Sequence, residues 1–122
     1  MSELRFLGRL VRNLGRGTRL GFPTANLETD TTVPEGIYIG YALANHEKLP
    51  ALIFSGVPIT FDEKEHRIEV YLLDFEGELG VPELGITLIK KIRENEKFDS
   101  AEKLIAQMKE DERVAWEYFR RT

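Results

Sequence analysis

The sequence predicts a mostly-β domain followed by one C-terminal helix, on three observations. First, five short segments are rich in Ile, Val, Tyr and Phe and are bounded by Gly, Pro, Asn or Asp, as strands are. These segments are residues 4–12, 36–44, 49–56, 66–75 and 83–93. Second, no helical pattern long enough for a crossover lies between them, which argues against a parallel sheet. Third, the one clear helical pattern comes last, so five or six strands and a helix indicate an open or closed barrel.

The last segment, DSAEKLIAQMKEDERVAWEYFRR, has the apolar period of an amphipathic helix. Asp99 is placed to cap the first turn, and Glu102 answers from the third helical position. The residues expected on one apolar face are Ala101, Leu104, Ile105, Met108, Ala115 and Phe119. We expect this face to pack against the barrel, with a partner-binding helix as the alternative.

Length and composition limit the classes of function. The 122 residues fit one domain, residues 1–122, with one site. The absence of cysteine excludes disulfides and sulfur-ligated zinc, and the net charge of -4 argues against nucleic-acid binding through bulk charge. No apolar run is long enough to span a bilayer, and the first residues lack the apolar core of a signal peptide. We therefore expect a cytoplasmic protein.

The stretch GRGTRLGFPTAN, residues 15–26, combines three glycines with two arginines. Glycine permits close approach of main-chain N–H groups to a ligand, and arginine adds positive charge, so a phosphate cradle is chemically reasonable. The stretch matches neither the P-loop pattern nor the dinucleotide-binding pattern. A plain turn is therefore the alternative.

The next residues favour a metal site. Pro23 biases the chain towards an extended conformation, in which Thr24 and Asn26 point the same way. Their hydroxyl and amide oxygens are hard neutral ligands, suited to an Mg²⁺ ion that takes its remaining ligands from water and phosphates. A Thr-Asn turn that satisfies its own backbone is an equal alternative.

Glu69 is the third candidate. In HRIEVYLLDF, alternation puts Ile68, Val70 and Leu72 on one strand face and Glu69 with Tyr71 on the other. A carboxylate among aromatic and aliphatic side chains is costly unless it is paired or used. The alternative is a solvent-facing glutamate on a strand with one wet side.

Four segments together resemble the riboflavin kinase (flavokinase) family: LGRGTRLGFPTANL, PEGIYIGYA, HRIEVYLLDF and KKIRENEKFDSAEKLIAQMKED. They occur in the family's order and at compatible spacing, from residue 8 to residue 118. The resemblance implies a six-stranded antiparallel Greek-key barrel with a C-terminal helix. It also implies transfer of the ATP γ-phosphoryl group to the ribityl 5'-hydroxyl of riboflavin, which gives FMN and ADP.

The resemblance assigns roles to individual residues. Thr24 and Asn26 would coordinate Mg²⁺, with Mn²⁺ or Zn²⁺ as alternatives, and Glu69 would be the general base. The nucleotide site would comprise Asn13, Gly15, Gly17, Arg19, Thr24, Asn26, Leu72 and Asp74. The flavin site would comprise Arg93, Glu96 and Phe98.

The chain departs from the family pattern in two segments. Gly80 stands where an aromatic residue beside the nucleotide is expected, and in FSGVPITF both Ser55 and Pro58 differ from the usual pattern. These departures motivate a rival interpretation, a flavin- or nucleotide-binding module that has lost turnover. A small RNA- or protein-binding barrel is a third.

The resemblance also sets the expected partners, which are riboflavin, FMN, ATP and ADP, with no nucleic acid or membrane. The sequence lacks the HxGH motif of the FMN adenylyltransferase domain that is commonly fused to bacterial members. We therefore expect a kinase that stops at FMN, either as a monofunctional protein or as a kinase domain excised from a longer one. We also expect a monomer.

Overall fold

Six strands and one helix lie in the part of the chain that the computed structural model describes, namely residues 3–14, 24–56, 67–73, 75 and 80–120, without side chains at 12–14. The strands are β1 (Leu4–Leu14), β2 (Ala25–Glu28), β3 (Gly36–Ala44), β4 (Glu47–Gly56), β5 (Arg67–Leu72) and β6 (Glu83–Arg93), and the helix is α1 (Ala101–Arg120). All five predicted strands are present. The sixth, β2, begins directly after Thr24 in the stretch expected to be extended.

The strands pair antiparallel around a closed barrel in the order β1-β2-β5-β4-β3-β6. The closure is made by β1 and β6, which pair from Leu4 opposite Leu88 to Arg9 opposite Glu83. Three successive strands, β3, β4 and β5, are neighbours, and β6 returns to lie beside β3, which is the Greek-key order. The predicted six-stranded Greek-key barrel with a C-terminal helix is therefore confirmed.

Alternation along the strands builds two apolar clusters. One fills the barrel interior and includes Ile53, Val70 and Ile86, while the other lies between the outer face of the barrel and α1. Ile68 and Val70 of β5 belong to the interior cluster, and Leu73, directly after β5, belongs to the cluster under the helix, as the predicted alternation requires. The outer face of this part of the sheet is therefore covered by α1.

The helix begins one residue later than predicted, and its cap is different. The hydroxyl of Ser100 accepts a hydrogen bond from the Lys103 main-chain N–H at 3.2 Å, which makes Ser100 the N-cap. Asp99 instead pairs with the Lys103 ammonium at 3.0 Å. The prediction of an Asp99 cap was wrong, because Ser100 and not Asp99 directly precedes the first helical residue. A side-chain oxygen at that position can reach the free main-chain N–H groups of the first turn.

The packed face of α1 differs from the predicted one at two positions. Ala115 is fully buried and Phe119 packs against the second cluster, as expected, but Ala101 is exposed. The charged residue Asp111 is buried on the packed face. The core-facing role of the helix is confirmed, and no helix in the described ranges is both long and apolar enough to cross a membrane.

The barrel interior should carry much of the stability. Ile53 is fully buried in the interior cluster, so Ile53→Ala should lower the free energy of unfolding by about 2 to 5 kcal/mol. Leu43→Ala is the matched control, since Leu43 on the neighbouring strand is 49% exposed, and its cost should stay below about 1 kcal/mol. Urea unfolding of both variants measures the difference, and equal losses would contradict the assignment of Ile53 to the core.

Candidate active site

One row of side chains crosses five neighbouring strands on the outer face of the barrel. Residues directly opposite each other in an antiparallel ladder point to the same face. The ladder register gives the row, from β2 to β6, as Asn26, Glu69, Phe54, Ile37 and Arg93. Neighbouring strands lie about 4.8 Å apart, so Glu69 and Arg93, three strands apart, are separated by about 14 Å along the surface. One predicted metal ligand, Asn26, the predicted base, Glu69, and one predicted flavin residue, Arg93, therefore share one face.

Glu69 is buried, with 6% of its surface exposed. The hydroxyl of Thr24 donates a hydrogen bond of 2.9 Å to Glu69 Oε1. A carboxylate removed from water needs such partners, because an uncompensated buried charge is expensive. The alternative of a solvent-facing glutamate was wrong, and Glu69 has the burial and the partner expected of a residue held for use.

Thr24 and Asn26 both lie beside Glu69. Asn26 is buried and faces Glu69 directly in the ladder between β2 and β5, while Thr24 reaches the same carboxylate from the residue before β2. A hydroxyl that donates its hydrogen to a carboxylate presents oxygen lone pairs on its other side. The arrangement therefore gathers a hydroxyl, an amide and a carboxylate, the oxygen types that Mg²⁺ prefers.

Arg93 reaches the row because the pairing of β3 with β6 is irregular. Gly40 pairs with Leu88, and from that pair an unbroken ladder would place Ile37 opposite Lys91. Two register shifts between Gly40 and Ile37 each insert one residue into β6, so that Ile37 faces Arg93 instead. Bulges of this kind change which side chains face a given neighbour. These two place Arg93, rather than Lys91, in the row.

The guanidinium of Arg93 is held by helix α1. Its Nε and Nη2 atoms donate to the two carboxylate oxygens of Asp111, each at 2.8 Å. Gln107, one turn earlier on the helix, donates to Asp111 Oδ1 at 3.0 Å. The sequence interpretation missed Asp111, although an aspartate on the apolar face of an amphipathic helix is a signal for a buried partner.

A second carboxylate of α1 binds β5. Tyr71, two residues beyond Glu69, donates its hydroxyl to Glu112 Oε2 at 2.6 Å. Burial, followed by the hydrogen bond and charge of Glu112, raises the pKa of Tyr71 far above its usual value. The phenol therefore stays protonated and keeps donating at neutral pH. Asp111 and Glu112, adjacent in sequence, thus hold the end of β6 and the strand of Glu69.

The segment that follows β6 is anchored to the end of β4. Asn95 donates its side-chain amide hydrogen to the main-chain oxygen of Ser55 at 3.2 Å. Gly56, at φ +150°, makes room for this contact, because a Cβ there would collide with the Asn95 amide. Ser55 is fully buried and its hydroxyl donates to the Val33 carbonyl at 3.0 Å, which gives its departure from the family pattern a structural role.

The anchored segment carries two predicted flavin residues. Phe98 is half-buried, and its ring centroid lies 5.9 Å from Cζ of Arg93. Glu96 is exposed. Arg93 and Phe98 therefore form one local group at the end of the row opposite to Asn26.

Several predicted nucleotide residues lie outside the described part of the chain. These are Gly15, Gly17, Arg19 and Asp74. Pro58 lies outside it as well, and at Asn13 only the strand backbone is described. Leu72 packs against the barrel interior, on the opposite strand face from Glu69. Its proximity to the adenosine part of a nucleotide stays a prediction.

Two further features bear on the predicted site. Among the described residues, no group of three or more His, Cys, Asp or Glu side chains could hold a metal ion. Gly80 is exposed, has φ +67°, and a Cβ there would meet no atom within 4 Å among the described residues.

Comparison with known proteins places the chain beside riboflavin kinases. The family model for riboflavin kinase (flavokinase) matches residues 1–119. A bifunctional riboflavin kinase/FMN phosphatase of Arabidopsis thaliana is 38% identical over 117 residues, which cover 88% of this chain and 31% of the relative. A bifunctional riboflavin kinase/FMN adenylyltransferase of Escherichia coli K12 is 36% identical over 115 residues, which cover 92% and 37%. The chain spans about a third of the length of these curated relatives.

The fold agrees with the sequence matches. A crystal structure of a macrolide-efflux protein from Streptococcus pneumoniae superposes with a TM-score of 0.80 at 32% identity, and covers 93% of this chain and 38% of that one. The family match runs through every strand of the barrel and into the last turn of α1. This chain therefore belongs to the riboflavin kinase (flavokinase) family.

Proposed function

We propose that the chain is an active riboflavin kinase, which transfers the γ-phosphoryl group of ATP to the ribityl 5'-hydroxyl of riboflavin and releases FMN and ADP. The observation that carries the proposal is the buried Glu69, which accepts a hydrogen bond from Thr24 and faces Asn26 across the ladder. Family membership supplies the reaction class. The cross-strand register brings the proposed base and one proposed flavin residue, Arg93, to the same face of the barrel.

Glu69 is the proposed general base. It takes the proton of the 5'-hydroxyl as that oxygen attacks the γ-phosphorus, and the bond from the γ-phosphorus to the bridging oxygen of ADP breaks. Phosphoryl transfer asks little covalent chemistry of the protein and much positioning, so a carboxylate fixed on a strand suits the task. The Thr24 hydroxyl holds Glu69 Oε1, which leaves the carboxylate in a defined orientation.

Thr24 and Asn26 are the proposed ligands of Mg²⁺. The donor set fits, because a hydroxyl and an amide oxygen next to a carboxylate suit a hard divalent cation that keeps some of its water. When bound with the nucleotide, the ion would neutralise charge on the phosphates. Mn²⁺ and Zn²⁺ are the alternative ions.

Arg93, Glu96 and Phe98 are the proposed flavin residues. Arg93 lies about 14 Å from Glu69 along the barrel surface, and the ring of Phe98 lies beside it. Riboflavin, with a ring at one end and a reactive hydroxyl on a chain at the other, suits two groups separated in this way. Residues 13–19, with Leu72 and Asp74, are the proposed nucleotide side of the site.

A catalytically weak binding module derived from the same fold is the second candidate. Gly80 favours it, because the family pattern has an aromatic residue there and a Cβ at this position would meet no atom of the described residues within 4 Å. The convergence of Thr24, Asn26 and Glu69 argues for turnover, because a module that only binds has no need of a buried base.

Incubation of the chain with riboflavin, ATP and Mg²⁺ should yield FMN and ADP, which chromatographic separation of the flavins detects. Riboflavin alone and ATP without Mg²⁺ are the controls. If the fluorescence of riboflavin is quenched on binding but no FMN forms, the second candidate function, a binding module, is supported and the kinase is refuted. If riboflavin neither binds nor reacts, both candidates fail.

Glu69→Gln should lower kcat by at least about 100-fold, because a general base contributes about 10² to 10⁴ in rate. The affinities for riboflavin and ADP should change little, since the amide keeps the volume of the carboxylate and can still accept from Thr24. Glu83→Gln, an exposed strand glutamate, is the matched control and should keep full activity. A Glu69→Gln enzyme with near-normal kcat would remove this residue from the base role.

Thr24→Val should weaken ADP binding in the presence of Mg²⁺ by about 10-fold, because one charge-assisted contact to the ion is lost. The affinity for ADP without Mg²⁺ should stay unchanged. Calorimetric titration of ADP with and without Mg²⁺ separates the two affinities. Thr87→Val, a β6 threonine outside the row, is the matched control. Equal Mg²⁺ dependence in both variants would count against the metal site.

A further inference from the structure

We propose that Asp111 is a positioning residue of the flavin site, which acts by holding the Arg93 guanidinium in one orientation. The inference rests on the proposed flavin role of Arg93. Asp111 lies on a helix remote in sequence from the row, yet it is buried, with 5% of its surface exposed, and directs both carboxylate oxygens at Arg93.

The hydrogen bonds leave Arg93 a defined capacity for a ligand. A guanidinium has five N–H donors. The Nε hydrogen and one Nη2 hydrogen go to Asp111, and one Nη1 hydrogen goes to the main-chain oxygen of Glu94 at 3.2 Å. Two N–H groups, one on each Nη atom, have no partner among the described residues. These are the donors that a carbonyl oxygen of an isoalloxazine ring can use.

Several contacts converge on one guanidinium orientation. The paired bonds to Asp111 fix the guanidinium plane, since an arginine–carboxylate fork has one favoured geometry. Gln107 fixes Asp111 in turn, through the 3.0 Å bond to Oδ1. On the other side, the Phe98 ring lies 5.9 Å from Cζ, and the Arg93 side chain is 19% exposed. The guanidinium is therefore held before the flavin arrives, while one edge stays open.

Stability alone is a weak reason for this arrangement. A buried ion pair loses hydration on both groups, and its net contribution to folding is often near zero. The ion pair contributes more to the affinity for a ligand. The long Arg93 side chain is already ordered by Asp111, so it does not lose rotamer freedom when the ligand binds. Pre-organisation of Arg93 for ligand binding therefore explains the buried ion pair better than a contribution to the free energy of folding does.

Asp111→Asn should raise the KM and the dissociation constant for riboflavin by about 10-fold, and leave kcat and the KM for ATP near the parent values. Glu110→Gln is the matched control: it removes the neighbouring helix carboxylate, whose partner is the exposed Arg113, and should change none of these constants. A loss of thermal stability in Asp111→Asn with an unchanged riboflavin KM would overturn the proposal, because a purely structural ion pair gives that result.

A double-mutant cycle with Arg93→Gln tests whether Asp111 acts through Arg93. Arg93→Gln should weaken riboflavin binding, and Asp111→Asn should add no further loss in that background. Additive losses would overturn the inference. If Arg93→Gln binds riboflavin normally, the proposed flavin role of Arg93 fails, whereas an effect of Arg93→Gln without one of Asp111→Asn refutes the positioning role alone.

Gln107→Leu provides a variant that keeps the ion pair and the charge balance. It removes only the bond that orients Asp111, and should raise the riboflavin KM by about 3-fold with kcat unchanged. If Asp111→Asn does not fold, this variant decides the question. A riboflavin KM equal to that of the parent chain would then refute the proposal.

Discussion

The antiparallel register of the closed barrel is the constraint on which the candidate site depends. Asn26, Glu69 and Arg93 are far apart in sequence, and only cross-strand pairing brings them into one row on the outer face. A slip of one residue in any of these pairings would turn a member of the row towards the interior. The apolar interior resists such a slip, because it would expose residues such as Ile68 and Val70 and bury Glu69 among them.

The packing of helix α1 against the outer face of the barrel is the second requirement of the site. The outer face of β3, β4 and β5 carries large apolar side chains that need cover, and the helix buries them with Ala115 and its aromatic neighbours. The same packing sets Asp111 and Glu112 against Arg93 and Tyr71. One docking event therefore fixes both the strand of the proposed base and the end of β6, so the stability of the helix and the geometry of the site are linked.

Placement on strands suits the proposed chemistry. Phosphoryl transfer depends on reactants held in line and on charge stabilisation, both of which tolerate little displacement. Side chains on paired strands and on a packed helix move less than those on loops. Paired strands thus carry the proposed base Glu69, the proposed metal ligand Asn26 and the proposed flavin residue Arg93.

The sequence by itself determined five of the six strands, the helix and the two faces of β5, because these follow from local alternation and residue chemistry. It placed the helix cap one residue too early and left the environment of Glu69 open. Only the tertiary structure decided that Glu69 is buried, that Arg93 and not Lys91 lies in the row, and that Asp111 holds it. These outcomes depend on two bulges in the pairing of β3 with β6 and on the packing of helix α1, in which Asp111 lies 18 residues after Arg93. Such long-range contacts leave no periodic signal in the sequence of a single chain.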